Sequence, residues 1–226
     1  MHAGKTVTIV PTGTANLASV AAAFARLGAV AHIAADRREI ERAEYLVLPG
    51  VGAFAAAMDE LGALGLIEPL RERLVDGRPA LAICLGMQVL LDESEESPGV
   101  SGLGIVTAKA TRITSPAVRV PHLGWSNVVP APKADGGGGV VVEGFAYFAH
   151  SFRIAAPLTR SPAADALGNW SLGVADHGGD FVASMQRGGL LACQFHPELS
   201  GAWGSALLSR WLAQLAAAEH IVKGGA

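Results

Sequence analysis

The sequence lacks the features that mark secreted, membrane-spanning or nucleic-acid-binding proteins. Its 226 residues include only two cysteines, which lie far apart without a CxxC pair, so neither a disulfide framework nor a metal site is indicated. No run of about 18 apolar residues is present to span a membrane, and the amino terminus has no signal-peptide pattern. A net charge of -3 gives no basic surface for nucleic acid. We therefore expect a cytoplasmic protein with free thiols.

The order of predicted strands and helices changes midway along the chain. The first half alternates short apolar strands with helical segments, which predicts a parallel sheet covered by helices on both faces. The second half is a series of strands joined by turns rich in Gly, Pro and Asp. The strands are predicted at residues 105–113, 118–120, 140–148, 151–154, 170–175, 181–186 and 190–195.

These patterns predict an α/β fold of three layers, with a central, mostly parallel sheet and an added antiparallel region in the second half. A single domain covering residues 1–226 fits this length. Residues 130–139, with four consecutive glycines, are expected to form a flexible surface loop. A final helix is predicted over 202–218, and the tail after about residue 220 is expected to fray.

Residues 79–91 have the pattern of a nucleophile elbow. An apolar strand ends at Cys84, and a helix-forming stretch follows directly. Such a turn exposes a nucleophile between strand and helix, and the small residues Ala82 and Gly86 allow the backbone to double back. The helix start is expected to favour the thiolate. The alternative is that Cys84 is a small buried apolar residue, as most free cysteines are.

A histidine and a carboxylate follow the last predicted strand. Residues 194–198 are Gln-Phe-His-Pro-Glu, and the strand before them contains Cys193, which we assign to the core. A thiol nucleophile needs a base, and the base needs an orienting carboxylate. Since His196 and Glu198 are two residues apart on a segment stiffened by proline, they can serve Cys84 in these roles. By itself, a histidine at a strand end is more often a structural residue.

Both motifs resemble those of class I glutamine amidotransferases. Within that class, the chain is most similar to the glutaminase subunits of imidazole glycerol phosphate synthase. Four stretches support this similarity: Gly-Thr-Ala-Asn-Leu-Ala-Ser at 13–19, Leu-Pro-Gly-Val-Gly-Ala-Phe at 48–54, Pro-His-Leu-Gly-Trp at 121–125 and Tyr-Phe-Ala-His-Ser-Phe at 147–152. The chain departs from the family at Ala15, often a second glycine, and at Leu199, a lysine in many relatives.

The resemblance implies a catalytic set and an oxyanion hole. The implied catalytic residues are Cys84, His196 and Glu198. Acyl transfer places negative charge on the substrate oxygen, which backbone N–H groups must stabilise. The implied donors are the backbone of Gly52 or Val51 and of Leu85. The strand carrying them is expected to rearrange before it donates, so that the resting activity is low.

The resemblance also implies how the substrate glutamine is held. Side chains would contact its α-ammonium and α-carboxylate groups at two positions, and backbone atoms at others. The implied substrate-binding residues are Gly50, Gln88, Glu96, Ser151 and Phe152. Glu96 lies in an acidic stretch, whose alternative explanation is a solvated surface. No metal and no organic cofactor are implied.

The implied partner is a (β/α)8-barrel cyclase subunit, with which the chain would form a heterodimer. The cyclase would use the ammonia to make imidazole glycerol phosphate and aminoimidazole carboxamide ribonucleotide in histidine biosynthesis. Asn16, Trp125 and Tyr147 are candidates for the interface, while His122 and His150 have apolar neighbours that favour packing roles.

Three other functions remain possible from the sequence. One is a glutaminase feeding a different synthase, such as those for pyridoxal phosphate, anthranilate or guanylate. Another is a catalytically silent binding subunit of the same fold. The third is a thiol peptidase, which would leave the implied glutamine-contact residues unexplained.

Overall fold

The computed structural model describes residues 2–12, 16–34, 36–132, 139–156, 167 and 169–223. The strands are β1 (Thr6–Ile9), β2 (Val30–Ile33), β3 (Tyr45–Leu48), β4 (Ala80–Ile83), β5 (Leu91–Ser94), β6 (Val106–Arg112), β7 (His122–Pro130), β8 (Gly144–His150), β9 (Phe152–Arg153), β10 (Ser171–Asp176), β11 (Asp180–Arg187) and β12 (Leu190–Cys193). The helices are α1 (Leu17–Arg26), α2 (Arg37–Arg42), α3 (Phe54–Ala63), α4 (Ile67–Val75), α5 (Leu85–Gln88) and α6 (Gly201–Lys223), with a 3-10 turn at Pro197–Leu199.

A nine-stranded mixed sheet forms the centre of the fold. Its strand order is β2-β1-β3-β4-β12-β11-β10-β7-β8. The strands from β2 to β12 pair in parallel, and the pairs from β12 to β8 are antiparallel. A smaller sheet has the order β5-β6-β9. The predicted α/β fold, with a parallel region and an added antiparallel region, is therefore confirmed.

The central strands are apolar because both of their faces are covered. Every residue of β3, β4 and β12 is buried, as expected for parallel strands between two helical layers. Helices α3 and α4 pack on one face of the sheet. On the other face, α1 and α6 meet where Trp211 packs against Phe24 and Tyr45, with ring centroids 6.1 and 5.6 Å apart.

The sequence-based boundaries fail mainly in the second half. The strand predicted at 118–120 is absent, and the nine-residue strand β7 stands just after it. Strand β7 was missed because only alternate residues face the core, and two of these inward residues, His122 and Ser126, are polar. Helix α2 and strand β5 were also not predicted.

The two ends of the predicted final helix also differ from the structure. Helix α6 begins at Gly201 and continues to Lys223, past the point at which fraying was expected. The amino-terminal stretch 13–15, most of the glycine-rich loop (133–138) and the last residues, 224–226, lie outside the described residues. In the part of the chain that is described, no helix is both long and apolar enough to cross a membrane.

Candidate active site

Three adjacent parallel strands bring the predicted site residues to one edge of the sheet. Strands β3, β4 and β12 are neighbours, and their carboxyl ends point the same way. Gly50 follows β3, Cys84 follows β4, and His196 follows β12. Ligands of open α/β sheets bind outside the carboxyl ends of the strands, so this edge is the expected place for chemistry.

Cys84 stands on a strained turn between β4 and α5. With φ 52° and ψ -107°, it is the one non-glycine residue with positive φ in the described ranges. Strain of this kind costs about 1–3 kcal/mol and is concentrated at functional sites. The turn requires glycine at 86, because a Cβ there would lie 2.0 Å from the carbonyl oxygen of Leu48. Helix α5 has only four residues, so its dipole supports the thiolate less than predicted.

His196 connects Cys84 to a buried carboxylate. Its Nδ1 lies 2.8 Å from Oε1 of Glu198, and its ring also interacts with the Cys84 side chain. Burial lowers the pKa of His196, but hydrogen bonds and charges from Cys84 and Glu198 outweigh it and raise that pKa to about 10. The imidazole is therefore protonated at neutral pH, which favours a thiolate at Cys84.

A cleft of about 180 Å³ opens beside the cysteine. Most of the predicted site residues line it: Val51, Gly52, Cys84, Leu85, Gln88, Glu96, Ser151 and Phe152. Gly50 lies close behind, since a Cβ there would be 2.7 Å from Cβ of Leu85. The structure thus brings together residues that are more than 100 positions apart in the sequence.

One of the predicted oxyanion donors is already engaged. The Leu85 N–H donates to the Gly50 carbonyl oxygen at 3.3 Å. Gly52, on the same segment, has φ 105°, a backbone conformation that glycine adopts readily. A substrate oxygen can use the Leu85 N–H only if the Gly50 carbonyl turns away.

The side chains predicted to hold glutamine are ordered by the protein itself. Both amide protons of Gln88 are used, one by the Phe152 carbonyl at 2.9 Å and one by Oε1 of Gln194 at 3.1 Å. Glu96 is half-buried, and its Oε2 accepts the Phe54 N–H at 2.7 Å, at the start of α3. Glu96 is therefore part of the cleft wall and not a solvated surface carboxylate.

Three other residues of the cleft were not predicted as site residues: Pro121, Ala149 and His150. Nδ1 of His150 lies 3.0 Å from the Phe152 carbonyl, and its Nε2 lies 3.2 Å from Nδ1 of His122. Burial lowers the pKa of His150 to about 3 and that of His122 to about 4, so both are neutral at pH 7. Successive side chains of a strand point to opposite faces. This alternation along β7 and β8 is the signal that could have predicted that His122 and His150 point inward.

Two of the three interface candidates are in contact with each other. Trp125 and Tyr147 are cross-strand partners on the outward face of the β7–β8 hairpin, with ring centroids 5.9 Å apart. Leu123 and Phe145 share this face and are 67% and 60% exposed, and Trp125 is 55% exposed. Asn16 lies after β1 in the parallel half, where its side chain accepts the Ser19 N–H and caps α1.

Comparison with known proteins agrees with this geometry. The family model described as glutamine amidotransferase class-I matches residues 6–215. The chain belongs to the class I glutamine amidotransferase family. The predicted enzyme class, a glutamine amidotransferase, is thus confirmed. In the described part of this amidotransferase, no group of three or more His, Cys, Asp or Glu side chains is arranged to hold a metal.

Curated relatives identify the branch of the family. The amidotransferase is 39% identical to the imidazole glycerol phosphate synthase subunit HisH of Methanothermobacter thermautotrophicus, over 91% of this chain and 97% of the relative. It is 40% identical to the subunit of the same name from Xylella fastidiosa Temecula1, over 91% and 96%. The resemblance to the glutaminase subunits of imidazole glycerol phosphate synthase is therefore confirmed.

Solved structures agree on the fold. A crystal structure of a glutamine amidotransferase superposes with a TM-score of 0.68 at 20% identity, covering 93% of this chain and 98% of that one. The structure of PurLQS from Thermotoga maritima superposes with a TM-score of 0.65 at 14% identity, covering 93% of this chain and 99% of that one. At these identities the likeness concerns the fold alone.

Proposed function

We propose that the chain is the glutaminase subunit of an imidazole glycerol phosphate synthase, with Cys84, His196 and Glu198 as its catalytic residues. The observation that carries the proposal is a strained, positive-φ cysteine whose side chain interacts with a histidine held by a buried carboxylate. A structural cysteine has no need of this arrangement, whereas a thiol nucleophile needs all three groups. The relatives of about 40% identity favour this synthase over others.

The mechanism follows from the order of these three groups. The Cys84 thiolate attacks the side-chain amide carbon of glutamine, and negative charge develops on its oxygen. When the carbon–nitrogen bond breaks, the leaving nitrogen takes the proton of His196 and departs as ammonia, which leaves a γ-glutamyl thioester. His196, now neutral and oriented by Glu198, removes a proton from water. The hydroxide releases glutamate and regenerates the thiolate and the imidazolium.

The cleft offers partners for the amino-acid end of glutamine. Since the two amide protons of Gln88 are taken, its Oε1 is the atom that can accept from the substrate's α-ammonium. Glu96, with Oε2 held by the Phe54 N–H, can offer Oε1 to the same group. The Phe152 carbonyl already accepts two hydrogen bonds, so backbone contact from this segment would use other atoms of Ser151 and Phe152.

The oxyanion hole is completed only after a rearrangement. The hydrogen bond from the Leu85 N–H to Gly50 must be exchanged for one to the substrate oxygen. The peptide of Val51 or Gly52 supplies the second donor. One missing donor in such a hole costs about 10²–10³ in rate, so the isolated chain should be a slow glutaminase.

The partner is a cyclase subunit that binds the outward face of the β7–β8 hairpin. Large exposed apolar side chains gathered on one face typically mark a protein interface, and Leu123, Trp125 and Phe145 provide them here. Ala149, on the same face, also lines the cleft. Ammonia released at Cys84 can thus enter a covered, apolar path when the heterodimer forms. The cytoplasm suits the free Cys84 thiol.

The decisive experiment measures glutamate release by the purified chain, first by itself and then with the cyclase and the nucleotide that the cyclase binds. We expect slow release from the isolated chain and a rise of about 10²-fold or more in the loaded complex. Cys84→Ala should abolish release but spare synthesis from added ammonia. Trp125→Ala should weaken the complex, whereas Val75→Ala, at a position on α4 that is 69% exposed, should not.

Other results would contradict parts of this proposal. Rapid glutamate release that is unchanged by the cyclase would indicate that the chain serves a different synthase. No release in a complex that forms would favour a silent binding subunit. Glutamate release by Cys84→Ala would show that the nucleophile is a different group.

A further inference from the structure

Gln194 contacts the sulfur of Cys84, although the mechanism above gives it no part. Its side chain is 1% exposed, and its Nε2 lies 3.7 Å from Sγ of Cys84. Its Oε1 accepts a hydrogen bond from Nε2 of Gln88 at 3.1 Å. The amide therefore bridges a cleft residue and the nucleophile.

The orientation of this amide is fixed by a carbonyl at the far end of the network. The Phe152 carbonyl can only accept, so Gln88 must turn its NH2 group toward it. The second proton of that NH2 group points at Gln194, which must accept it with Oε1. The NH2 group of Gln194 is then left to face the sulfur. Reversing the Gln88 amide would set its oxygen against the Phe152 carbonyl oxygen, and reversing the Gln194 amide would set its NH2 group against that of Gln88.

A second donor holds the carbonyl in place. Nδ1 of His150 also bonds the Phe152 oxygen, and since that oxygen cannot donate, Nδ1 carries the proton. Nε2 of His150 then accepts from Nδ1 of His122, whose Nε2 accepts from the Ser126 hydroxyl. Each donor of this chain points toward the Phe152 carbonyl. The carbonyl oxygen that orients Gln88 is therefore held in place.

We propose that Gln194 is a hydrogen-bond donor that favours the thiolate of Cys84. A hydrogen bond to an ionised acceptor is about twice as strong as one to a neutral acceptor, so this donor stabilises thiolate over thiol. The Ala149 carbonyl has the opposite effect, because it accepts from the thiol at 3.8 Å and cannot bond a thiolate. The inference rests on Cys84 being the nucleophile of the proposed function.

The test is the rate at which iodoacetamide alkylates Cys84, followed by peptide mass spectrometry as pH is varied. Thiolate is the reacting form, so Gln194→Met should slow alkylation about five- to tenfold at pH values below the plateau of the rate. At alkaline pH, where the thiol is fully ionised, the rate should equal that of the unmodified chain. A loss of access or of local structure would lower the rate at every pH.

The matched control is Gln186→Met. Gln186 is also a buried glutamine with hydrogen-bond partners, Val140 N–H and Gln214, but it lies on β11 away from the cysteine. Its variant should alkylate within twofold of the unmodified chain. If Gln194→Met matches this control below the plateau of the rate, or is slow at every pH, the proposal is wrong.

Gln88→Met gives an independent answer if Gln194→Met does not fold. Without the Gln88 donor the Gln194 amide can rotate, so alkylation below the plateau of the rate should slow about two- to threefold and recover at alkaline pH. A rate equal to that of Gln186→Met would overturn the proposal. Alkylation needs neither glutamine nor the cyclase. It therefore tests the role of Gln194 independently of the glutamate-release experiment, which tests the proposed function.

Discussion

The two cysteines are neighbours in the sheet, yet their surroundings are opposite. Strands β4 and β12 pair in parallel, and Cys193 stands beside Ile83, one residue before Cys84. The Cys84 N–H even donates to the Cys193 carbonyl at 2.7 Å. Cys193 remains within its strand and is completely buried, and this burial raises the pKa of its thiol well above the usual value. Cys84 has left its strand and reaches His196.

The comparison shows that a thiol in the core and a thiol facing the cleft can lie at almost the same level of two neighbouring strands. Within β12 the backbone is extended, and the side chain of Cys193 must pack between the sheet and its helices. At Cys84 the positive φ redirects the chain, so the sulfur meets a cleft, a histidine and an amide instead. Residue type is the same at both positions, and backbone conformation makes the difference.

Covalent labelling tests the comparison most strongly. A glutamine-mimicking electrophile should modify Cys84 completely and leave Cys193 untouched when the chain is in complex with the cyclase. The reason is that, of the two cysteines, only Cys84 lies in the cleft and beside the protonated imidazole of His196. Peptide mass spectrometry measures both sites at once. Cys84→Ser is the control that should remove the label, and modification of Cys193 in the folded chain would refute the distinction.

Removing the carboxylate that orients the histidine should have the next largest effect. Glu198→Gln should lower kcat for glutamine hydrolysis about 10³-fold. The charge of Glu198 helps to raise the pKa of His196, so without it the imidazolium loses its proton at lower pH. Activity should therefore begin to fall at lower pH in the variant, which a pH profile of kcat measures.

The matched control for that variant is Glu68→Gln. Glu68 is a carboxylate on α4 whose side chain is 69% exposed, and its variant should keep the activity and pH profile of the unmodified chain. An equal loss in both variants, or an unshifted profile in Glu198→Gln, would mean that Glu198 does not act through the histidine.

Local sequence patterns predicted the turn at Cys84 better than they predicted the strands of the second half. Strands β3 and β4 are buried on both faces and give continuous apolar runs, so the elbow was visible in the sequence. Strand β7 was not, because one face is exposed and His122 occupies a core position. The resemblance to the family supplied roles, such as that of Glu96, that the residues alone left open.

Contacts between distant residues were beyond the reach of local patterns. Gln88 and Gln194 are 106 positions apart, and their hydrogen bond exists only because β4 and β12 are adjacent. Likewise, the occupied Leu85 N–H depends on how closely the Gly50 segment approaches the elbow. The periodicity of the sequence predicts which helix or strand contains a residue. The hydrogen-bond partner of that residue's side chain follows only from the tertiary structure.

The smallest expected effect concerns stability, and its sign should differ between the two cysteines. At Cys84 the positive φ strains any side chain, so Cys84→Gly should be more stable than Cys84→Ala by about 1 kcal/mol. In the central strand β12 glycine has no such advantage and costs more conformational entropy, so Cys193→Gly should be less stable than Cys193→Ala by about 0.5–1 kcal/mol. Urea unfolding of the four variants measures both differences, since each pair removes the same sulfur. If glycine and alanine were equally stable at position 84, the backbone of the elbow would not be strained, and the distinction between the cysteines would rest on their neighbours alone.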